Sequence, residues 1–278
     1  MASLSSLSGD TLKKAQKELF EDPDKRLEVI SQLRDSIEQW TPTVDDQYEQ
    51  NLIFARKEDK FLLRFLRAKK FDVDRSLKLY VNYYKYRSKY AHILGEMSVS
   101  SAEGLLSGGG LCVLPPRNGP RVIIIRVDCF DFDNIVPGDL LKSLLLVFDR
   151  ILDIDEEAQV HGFVVVEDLS GFSLMAAMHI AGQEAVRKGV LVELMQESFP
   201  ARFKGIHLLS QPWYFSLVFT IIRPFLKQKL RDRFQLHGTD YDSLHEVIPP
   251  EYLPEEYGGT LSAVEEYAAI KLFPTGQN

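Results

Sequence analysis

Three short apolar runs, separated by long helical stretches, constrain the fold of this chain more than any other feature. The runs are VIIIRV at residues 122–127, FVVV at 163–166 and IHLL at 206–209. Between them, apolar residues recur at helical spacing over 140–152 and 174–197. Rows of β-branched residues that alternate with helices indicate a mostly parallel sheet with helices packed on it. A short strand at 111–114 and an edge strand at 234–236 complete the expected sheet.

The part of the chain before these strands is predicted to be helical. Along one expected helix, apolar side chains recur every three or four residues, at Leu27, Ile30, Leu33, Ile37 and Trp40. A second helix is expected through residues 61–67, and a third begins at Asp72 or Asp74, either of which is a suitable N-cap. We therefore predict a flexible, Ser-rich leader at residues 1–23 and a helical unit at 24–95.

Composition and missing motifs argue against several classes of function. The net charge of −7 argues against general nucleic-acid binding. With only Cys112 and Cys129, no CxxC spacing and no signal peptide, we expect reduced thiols in the cytosol. The chain has no P-loop, GxGxxG, GxSxG or HExxH motif, so we expect no catalytic residues, no metal and no cofactor. No apolar run approaches the roughly 20 residues that a membrane-spanning helix needs.

One segment combines an apolar helix with a local excess of positive charge. Residues 213–222 are a nearly continuous apolar run, and between Arg202 and Arg233 the chain has seven Lys/Arg and one acid. This local charge of +6 contrasts with −13 for the rest of the chain. A large apolar segment beside clustered cations is typical of a surface that meets an anionic membrane. The alternative is an ordinary helix buried in the core.

Five longer motifs carry a family resemblance. They are FLLRFLRAKKFDVDRS at 61–76, HGFVVVEDLSGFS at 161–173, ESFPARFKGIHLLSQPWYF at 197–215, IIRPFLKQKLRDRFQLHG at 221–238 and LPEEYGGTL at 253–261. The chain resembles the CRAL-TRIO family of lipid-binding and lipid-transfer proteins, which includes cellular retinaldehyde-binding protein, clavesin and α-tocopherol transfer protein. The resemblance implies a helical CRAL-TRIO-N domain at 24–95, a CRAL-TRIO lipid-binding domain at 96–262 and a C-terminal tail at 263–278. In this α/β fold, the mostly parallel sheet would floor an apolar cavity that a mobile gate helix, residues 213–222, closes.

The resemblance also implies which side chains line that cavity. They are Phe148, Phe163, Val165, Glu167, Leu169, Leu191, Leu194, Ile206, Trp213 and Phe215. Glu167 matches a pocket glutamate of retinaldehyde-binding protein, and a carboxyl group against apolar walls would have a raised pKa. In the alternative, Glu167 points away from the cavity and pairs with a cation. Leu145 and Val190 stand where that relative has a pocket tyrosine and lysine, which argues against retinal-specific recognition.

A second implied site would hold the headgroup of phosphatidylinositol bisphosphate. Its residues, matched to the cationic cleft of tocopherol transfer protein, are Lys69, Arg202, Lys229 and Arg233, with Lys204 as a neighbour. Lys229 and Arg233 are four residues apart, so we expect them on one helix face. Arginine forks match phosphate oxygens in geometry. The alternative is that these cations are solvated and paired with nearby acids.

The resemblance implies a non-enzymatic cytoplasmic carrier, peripherally membrane-associated and monomeric. It would bind a retinoid such as retinaldehyde, or a tocopherol-like isoprenoid, and transfer it to or from phosphoinositide-containing membranes. One alternative is a phosphoinositide-binding protein of endosomal membrane trafficking, like clavesin. Another is a retinoid isomerase that uses Glu167 as its acid.

Overall fold

A computed structural model describes residues 7–132, 134 and 137–274, without the side chains of Pro137 and Val218. The chain divides into two units. The helical unit comprises Met1–Ile93, Ile151–Gly162 and Leu194–Arg202, and the sheet unit comprises Leu94–Arg150, Phe163–Glu193 and Phe203–Asn278.

The elements follow one another in the order that the sequence patterns predict. The α-helices are α1 (Gly9–Leu19), α2 (Arg26–Glu38), α3 (Asp59–Ala68), α4 (Val73–Lys89), α5 (Ala91–Leu94), α6 (Glu103–Ser107), α7 (Pro137–Ile154), α8 (Glu156–His161), α9 (Leu174–Gly182), α10 (Glu184–Arg187), α11 (Val190–Glu193), α12 (Phe215–Ile222), α13 (Gln228–Arg231) and α14 (Tyr241–His245). The strands are β1 (Leu111–Val113), β2 (Arg121–Arg126), β3 (Phe163–Asp168), β4 (Phe203–Leu209) and β5 (Phe234–Gly238). A π-helical turn covers Leu194–Ser198. Short 3₁₀ helices cover Ser100–Ala102, Val127–Cys129, Arg223–Phe225, Pro250–Tyr252, Glu255–Tyr257, Val264–Tyr267 and Ala269–Leu272.

Aromatic side chains form the centre of the helical unit. Phe61 and Phe65 of α3 meet Tyr80 and Tyr83 of α4 edge to face, with ring centroids 5.2–6.3 Å apart. Such edge-to-face contacts stabilise a core beyond simple burial of area. Of the two possible caps for α4, Asp72 is the one used, because its side chain accepts a hydrogen bond of 2.9 Å from the backbone of Arg75.

A buried ion pair lies in the same unit. Arg67 donates two hydrogen bonds of 2.9 Å to the carboxylate of Glu21, and both side chains are fully buried. The Nε of Arg26 lies 2.7 Å from the same carboxylate, and Arg67 also donates to Gln159 at 2.8 Å. Charges can be buried in this way only where they are paired and hydrogen-bonded.

The N-terminal segment differs from the prediction. Residues 9–19 form α1 instead of part of a flexible leader. Ala15 and Leu19 are buried against Val160, and the Thr11 hydroxyl donates a 2.6 Å hydrogen bond to Glu157. The sequence pattern does not predict this helix because few of its residues are apolar. The residues that it packs against lie more than 130 positions away in the sequence.

The sheet has the strand order β1-β2-β3-β4-β5, with β1 antiparallel and the other four strands parallel. Because each parallel strand is added on the same side of the previous one, right-handed crossovers place all connecting helices on one face of the sheet. We call this the helical face. Phe148 of α7 confirms the assignment, since its ring lies 5.1 Å from Phe163 and 5.3 Å from Phe203.

The opposite face, which we call the C-terminal face, is closed by the end of the chain. Alternate residues of the strands pack there against α14 and the segments that follow it. The buried cluster contains Cys112, Leu114, Val122, Ile124, Val164, Val166, Leu209, Leu244, Ile248, Leu253, Tyr257 and Val264. The C-terminal face of the sheet is therefore closed by the chain itself.

A chain of hydrogen bonds joins β4 to the edge strand β5 on the C-terminal face. The Ser243 hydroxyl donates to the Asp240 carbonyl (3.0 Å), so it accepts from Nδ1 of His237 (2.7 Å). His237 Nε2 then accepts from Nδ1 of His207, at 2.9 Å. Burial lowers the pKa of His207 to about 4, so both rings are neutral near pH 7.

The long helical stretch predicted at 174–197 is broken into pieces. Gln183 is extended, which ends α9, and Gly189 has a φ of +61°, which separates α10 from α11. A side chain at position 189 would also collide with the ring of Phe225, whose Cγ lies 2.6 Å from the place of the missing Cβ. The apolar periodicity of this stretch therefore belongs to several short helices, and its breaks are set by tertiary contacts.

The buried ion pair predicts a large stability effect in the helical unit. Glu21→Gln removes the carboxylate that Arg26 and Arg67 share, while Arg67 keeps Glu156 at 3.4 Å, so we expect the free energy of unfolding to fall by about 3 kcal/mol. Urea unfolding followed by circular dichroism measures the change. The control Asp10→Asn removes an exposed pair with Lys13 and should leave the midpoint almost unchanged. Equal midpoints for the two variants would contradict the prediction.

Candidate functional site

Glu167, near the end of β3, is a polar group on the helical face. In register it pairs with Ile125 of β2 and Leu208 of β4, and it alternates with Val166, which belongs to the C-terminal face. Among the described residues its carboxylate has no hydrogen bond and no salt bridge, although the side chain keeps some accessible surface. Burial alone raises the pKa of Glu167 to about 7. The alternative that Glu167 pairs with a cation therefore finds no support in the described part of the chain.

Two strand residues beside Glu167 keep some accessible surface. Ile125 and Val165 keep 8% and 7% of their surface accessible, whereas Ile124 and Val166 on the C-terminal face have none. A carboxyl group with a pKa near 7 among apolar neighbours can donate a hydrogen bond when protonated and accept one when ionised. This part of the helical face therefore offers one polar contact on an apolar surface.

The predicted wall residues lie in several environments. In the sheet unit, buried positions are held by Phe148, Phe163, Val165, Leu169 and Ile206. Phe215 is half-buried at the start of α12, and Leu191 of α11 is exposed. Leu194 is buried in the π-helical turn of the helical unit. Trp213 is 85% exposed, so it lines no enclosed space in this conformation. Their assignment to one ligand cavity stays a prediction.

The apolar helix α12 is not a core helix. Leu217 and Ile221 are exposed on one side of α12, and Trp213 just before the helix and Phe225 in the 3₁₀ turn after it are exposed as well. We call them the outward stripe. On the other side of the helix, the rings of Phe215 and Phe219 stack at 6.0 Å, and Phe219 meets Phe234 of β5 at 5.4 Å. The helix therefore covers the sheet with one side and presents large apolar side chains to solvent with the other.

A second helix extends this exposed apolar surface. α9 packs against α12, and its Leu174, Met175 and Met178 are exposed. The sequence analysis missed these three residues, although their strongly apolar segment, LMAAM at 174–178, was visible as a signal. Exposed apolar surface on two neighbouring helices marks an interaction site more often than scattered apolar residues do.

The predicted phosphoinositide residues are distributed over both units. Arg202 of the helical unit donates to the Val160 carbonyl at 2.9 Å and lies 3.4 Å from Glu18. In the sheet unit, the guanidinium of Arg233 donates to the Phe203 carbonyl. Lys229 is exposed on α13, and Lys69 caps the C-terminal end of α3 in the helical unit. A shared phosphate site for these four residues stays a prediction.

The expectation that Lys229 and Arg233 lie on one helix face was wrong. Lys229 and Arg233 do not share a helix face, because α13 ends at Arg231 and Arg233 lies directly before β5. The helix is short because the chain must enter the sheet at Phe234, and four-residue spacing implies a common face only within a continuous helix.

The described residues limit two further classes of site. In the part of the chain that the structure describes, no helix combines the length and apolarity needed to span a bilayer. Within the same residues, no cluster of three or more His, Cys, Asp or Glu side chains could hold a metal ion.

Comparison with known proteins agrees with this architecture. Residues 109–259 match the model of the CRAL/TRIO domain, and residues 29–82 match that of the CRAL/TRIO N-terminal domain. The chain belongs to the CRAL-TRIO family. The matched ranges fall within the two domains expected from the sequence motifs, and the sheet order and N-terminal helices are those of this α/β fold.

The relatives of this CRAL-TRIO protein include several named members of the family. "Alpha-tocopherol transfer protein-like" from Homo sapiens is 37% identical over 263 residues, which cover 94% of this chain and 73% of the relative. Clavesin-2 from Homo sapiens is 36% identical over 260 residues, covering 92% of this chain and 75% of the relative. The crystal structure of Sfh5 superposes with a TM-score of 0.55 at 14% identity, covering 98% of this chain and 96% of that one, which supports the fold alone.

The raised pKa of Glu167 predicts a specific pH dependence of stability. Between pH 4.5 and about 7 the folded state keeps a proton that the unfolded state has lost, so stability falls as the pH rises. The full effect corresponds to about 3 kcal/mol. The Glu167→Gln variant has no carboxyl group to ionise. We therefore expect its free energy of unfolding, relative to that of the wild type, to rise by about 3 kcal/mol as the pH is raised from 4.5 to 7.5.

Chemical unfolding at a series of pH values measures this difference. The control Glu251→Gln replaces an exposed glutamate of the sheet unit and reports the general effect of removing one carboxyl group. A pH-independent difference for Glu167→Gln would show that the carboxyl group ionises normally.

Proposed function

We propose that this CRAL-TRIO protein is a non-enzymatic carrier that holds one hydrophobic small molecule against the helical face and exchanges it with membranes. The observation that carries the proposal is the outward stripe of α12. α12 contacts the sheet through Phe219, and it exposes Leu217 and Ile221 to solvent together with Trp213 and Phe225 at its two ends. Such a helix can meet a bilayer interface and release what lies beneath it in one step.

The apolar surface supplies most of the membrane affinity in this proposal. Each large side chain of the stripe contributes about 1.5–3 kcal/mol if it is fully buried in the interface. Arg223, Lys227 and Lys229 are exposed beside the stripe, and each cation near an anionic surface adds about 1 kcal/mol. The combination favours anionic membranes and a peripheral, cytoplasmic protein.

Phosphoinositide headgroups are the proposed anionic partners. Lys229 is exposed on α13, and we propose that it contacts a phosphate of the lipid. Arg202 would have to exchange its contact with Glu18 for the phosphate, since the two lie 3.4 Å apart. Arg233 and Lys69 complete the proposed set. A guanidinium can give up a partly exposed carboxylate for a phosphate because the phosphate carries more charge and accepts bidentate bonds.

The proposed cargo is an isoprenoid lipophile with one polar end, such as a retinoid or a tocopherol. Burial of its apolar surface contributes roughly 25 cal/mol for each Å². Glu167 gives the polar end its hydrogen-bond partner. The relative named as tocopherol transfer protein-like supports this class of cargo. Leu145 in place of a pocket tyrosine and Val190 in place of a pocket lysine argue against a site dedicated to retinal.

A second candidate function is membrane attachment in endosomal trafficking, with the cargo in a secondary role. The similar identity to clavesin-2 favours it, and the stripe with its cations is sufficient for attachment alone. A retinoid isomerase has less support. Glu167 could supply a proton, but we find no second acid or base beside it among the described residues of the helical face.

Vesicle flotation tests the membrane surface. Leu217→Ser with Ile221→Ser removes two members of the stripe, so we expect the bound fraction to fall about ten-fold or more on phosphatidylcholine vesicles that contain phosphatidylserine and phosphatidylinositol bisphosphate. The control Leu27→Ser changes an equally exposed leucine of the helical unit and should bind like the wild type. Lys227→Ala with Lys229→Ala should weaken binding only to the anionic vesicles. If the variant with Leu217→Ser and Ile221→Ser floated with the vesicles as the wild type does, the membrane proposal would be refuted.

Loading with defined probes tests the cargo. We expect a nitrobenzoxadiazole-labelled tocopherol to gain fluorescence on binding, and Ile206→Trp to weaken binding at least ten-fold because the larger ring fills the space on the helical face. Retinal absorbance is measured in parallel. A spectral shift with retinal and no response to the tocopherol would favour a retinoid, and no response to either probe would favour attachment without this cargo.

A further inference from the structure

The hydroxyl group of Tyr214 makes a hydrogen bond that the proposed function does not yet use. Tyr214 precedes α12 and is buried, and its hydroxyl donates to the backbone carbonyl of Phe172 in the loop after β3. Burial raises the pKa of Tyr214, so the phenol stays neutral and remains a donor at physiological pH. Within the described chain, no other hydrogen bond ties residues 213–222 to a distant part of the sequence.

Aromatic rings surround this hydrogen bond. The Phe172 ring lies 5.7 Å from Phe132 and 6.5 Å from Tyr214, and Tyr214 lies 5.6 Å from Trp213, the first residue of the outward stripe. Ring contacts tolerate a range of distances and tilts, whereas a hydrogen bond weakens steeply when its distance or angle changes. The hydrogen bond is therefore the element that defines one position of the helix.

The chain just before Tyr214 is held to the sheet. Ser210 donates its backbone N–H to the Gly238 carbonyl at 2.6 Å, and the Gly238 N–H donates to the Gln211 side chain at 2.9 Å. Ser210 has a φ of +52°, a strained value for a residue other than glycine. Strained backbone that is fixed by its surroundings often borders a moving segment. Motion of α12 would therefore begin after Gln211.

At the far end of α12, apolar contacts link the helix and the following turn to the rest of the sheet unit. Phe225 rests on Gly189, and Phe219 rests on Phe234 at 5.4 Å. Non-directional apolar contacts of this kind can be exchanged for similar contacts in a bilayer interface, whereas a lost hydrogen bond inside the protein leaves a carbonyl without its partner.

We propose that the Tyr214–Phe172 hydrogen bond is a latch that holds α12 closed over the helical face, with residues 211–215 as the hinge. The inference rests on the proposed function, because it assigns a regulatory contact to the same gate. Tyr214 is a positioning residue here and is not required to touch the cargo. Without its hydroxyl, the ring contacts remain and the open state becomes about five-fold more populated.

Thiol labelling tests the latch without any ligand. The background protein carries Cys129→Ser and Ile206→Cys, which places a reporter thiol next to Phe234 and under α12. Cys112, buried on the C-terminal face, serves as an internal control for general unfolding. Tyr214→Phe should label with iodoacetamide about five-fold faster at position 206, as measured by peptide mass spectrometry, while Cys112 labels at an unchanged rate. Tyr241→Phe, a hydroxyl deletion on the opposite face, should change neither rate.

Two outcomes of the labelling experiment would contradict the proposal that this hydrogen bond is a latch. Equal labelling of position 206 with and without Tyr214→Phe shows that the hydrogen bond does not control opening. Parallel acceleration at Cys112 shows that it stabilises the whole sheet unit instead. Neither result depends on cargo transfer. A wild-type protein that floats with no vesicle and binds no probe would refute the proposed function, while the labelling ratio would still report on the hydrogen bond itself.

Discussion

The strand order of the sheet is the constraint on which the rest of this structure depends. Strands that are neighbours in sequence are also neighbours in the sheet, and four of them run parallel. Right-handed crossovers then place every connecting helix on the same face. The other face is closed by α14 and the C-terminal segments through Leu244, Leu253 and Val264. The two faces of one sheet are therefore covered differently, one by the C-terminal segments and one by the connecting helices.

Two buried or partly buried carboxylates illustrate how surroundings decide the role of a side chain. Glu21 is enclosed by Arg67 and Arg26, and its negative charge is matched. Glu167 has no such partner among the described residues, and burial moves its pKa to about 7. The first carboxylate holds elements of the helical unit together. The second leaves a hydrogen-bonding group without an internal partner, which is the condition that a bound polar group can satisfy.

The outward stripe exposes large apolar side chains to water, which is unfavourable for the isolated protein. Folding normally buries large apolar side chains, and Leu217 and Ile221 lie at the surface beside further exposed residues of α9. Exposed cations, Arg223, Lys227 and Lys229, follow this surface in sequence. The same helix contributes Phe219 to the cover of the sheet. α12 thus has apolar side chains on two sides, and only the inner side is buried against the rest of the protein.

Local patterns predicted much of this fold. The β-branched runs became β2, β3 and β4, the periodic segment at 140–152 became part of α7, and the ordered motifs identified the CRAL-TRIO family. The errors occurred where distant contacts decide. α1 forms because Ala15 and Leu19 find Val160, and α13 ends early because Arg233 leads into β5.

For the candidate site, too, some features follow from the sequence and others only from the tertiary structure. The sequence alone determined the residue types and their local spacing: the lone glutamate at the end of an apolar strand, the apolar run at 213–222 and the cations around it. Only the tertiary structure decided that Glu167 lies on the helical face and that Trp213 and Leu217 face solvent. Strand and helix periods assign residues to sides of an element, but which side is covered depends on what the rest of the chain packs against it.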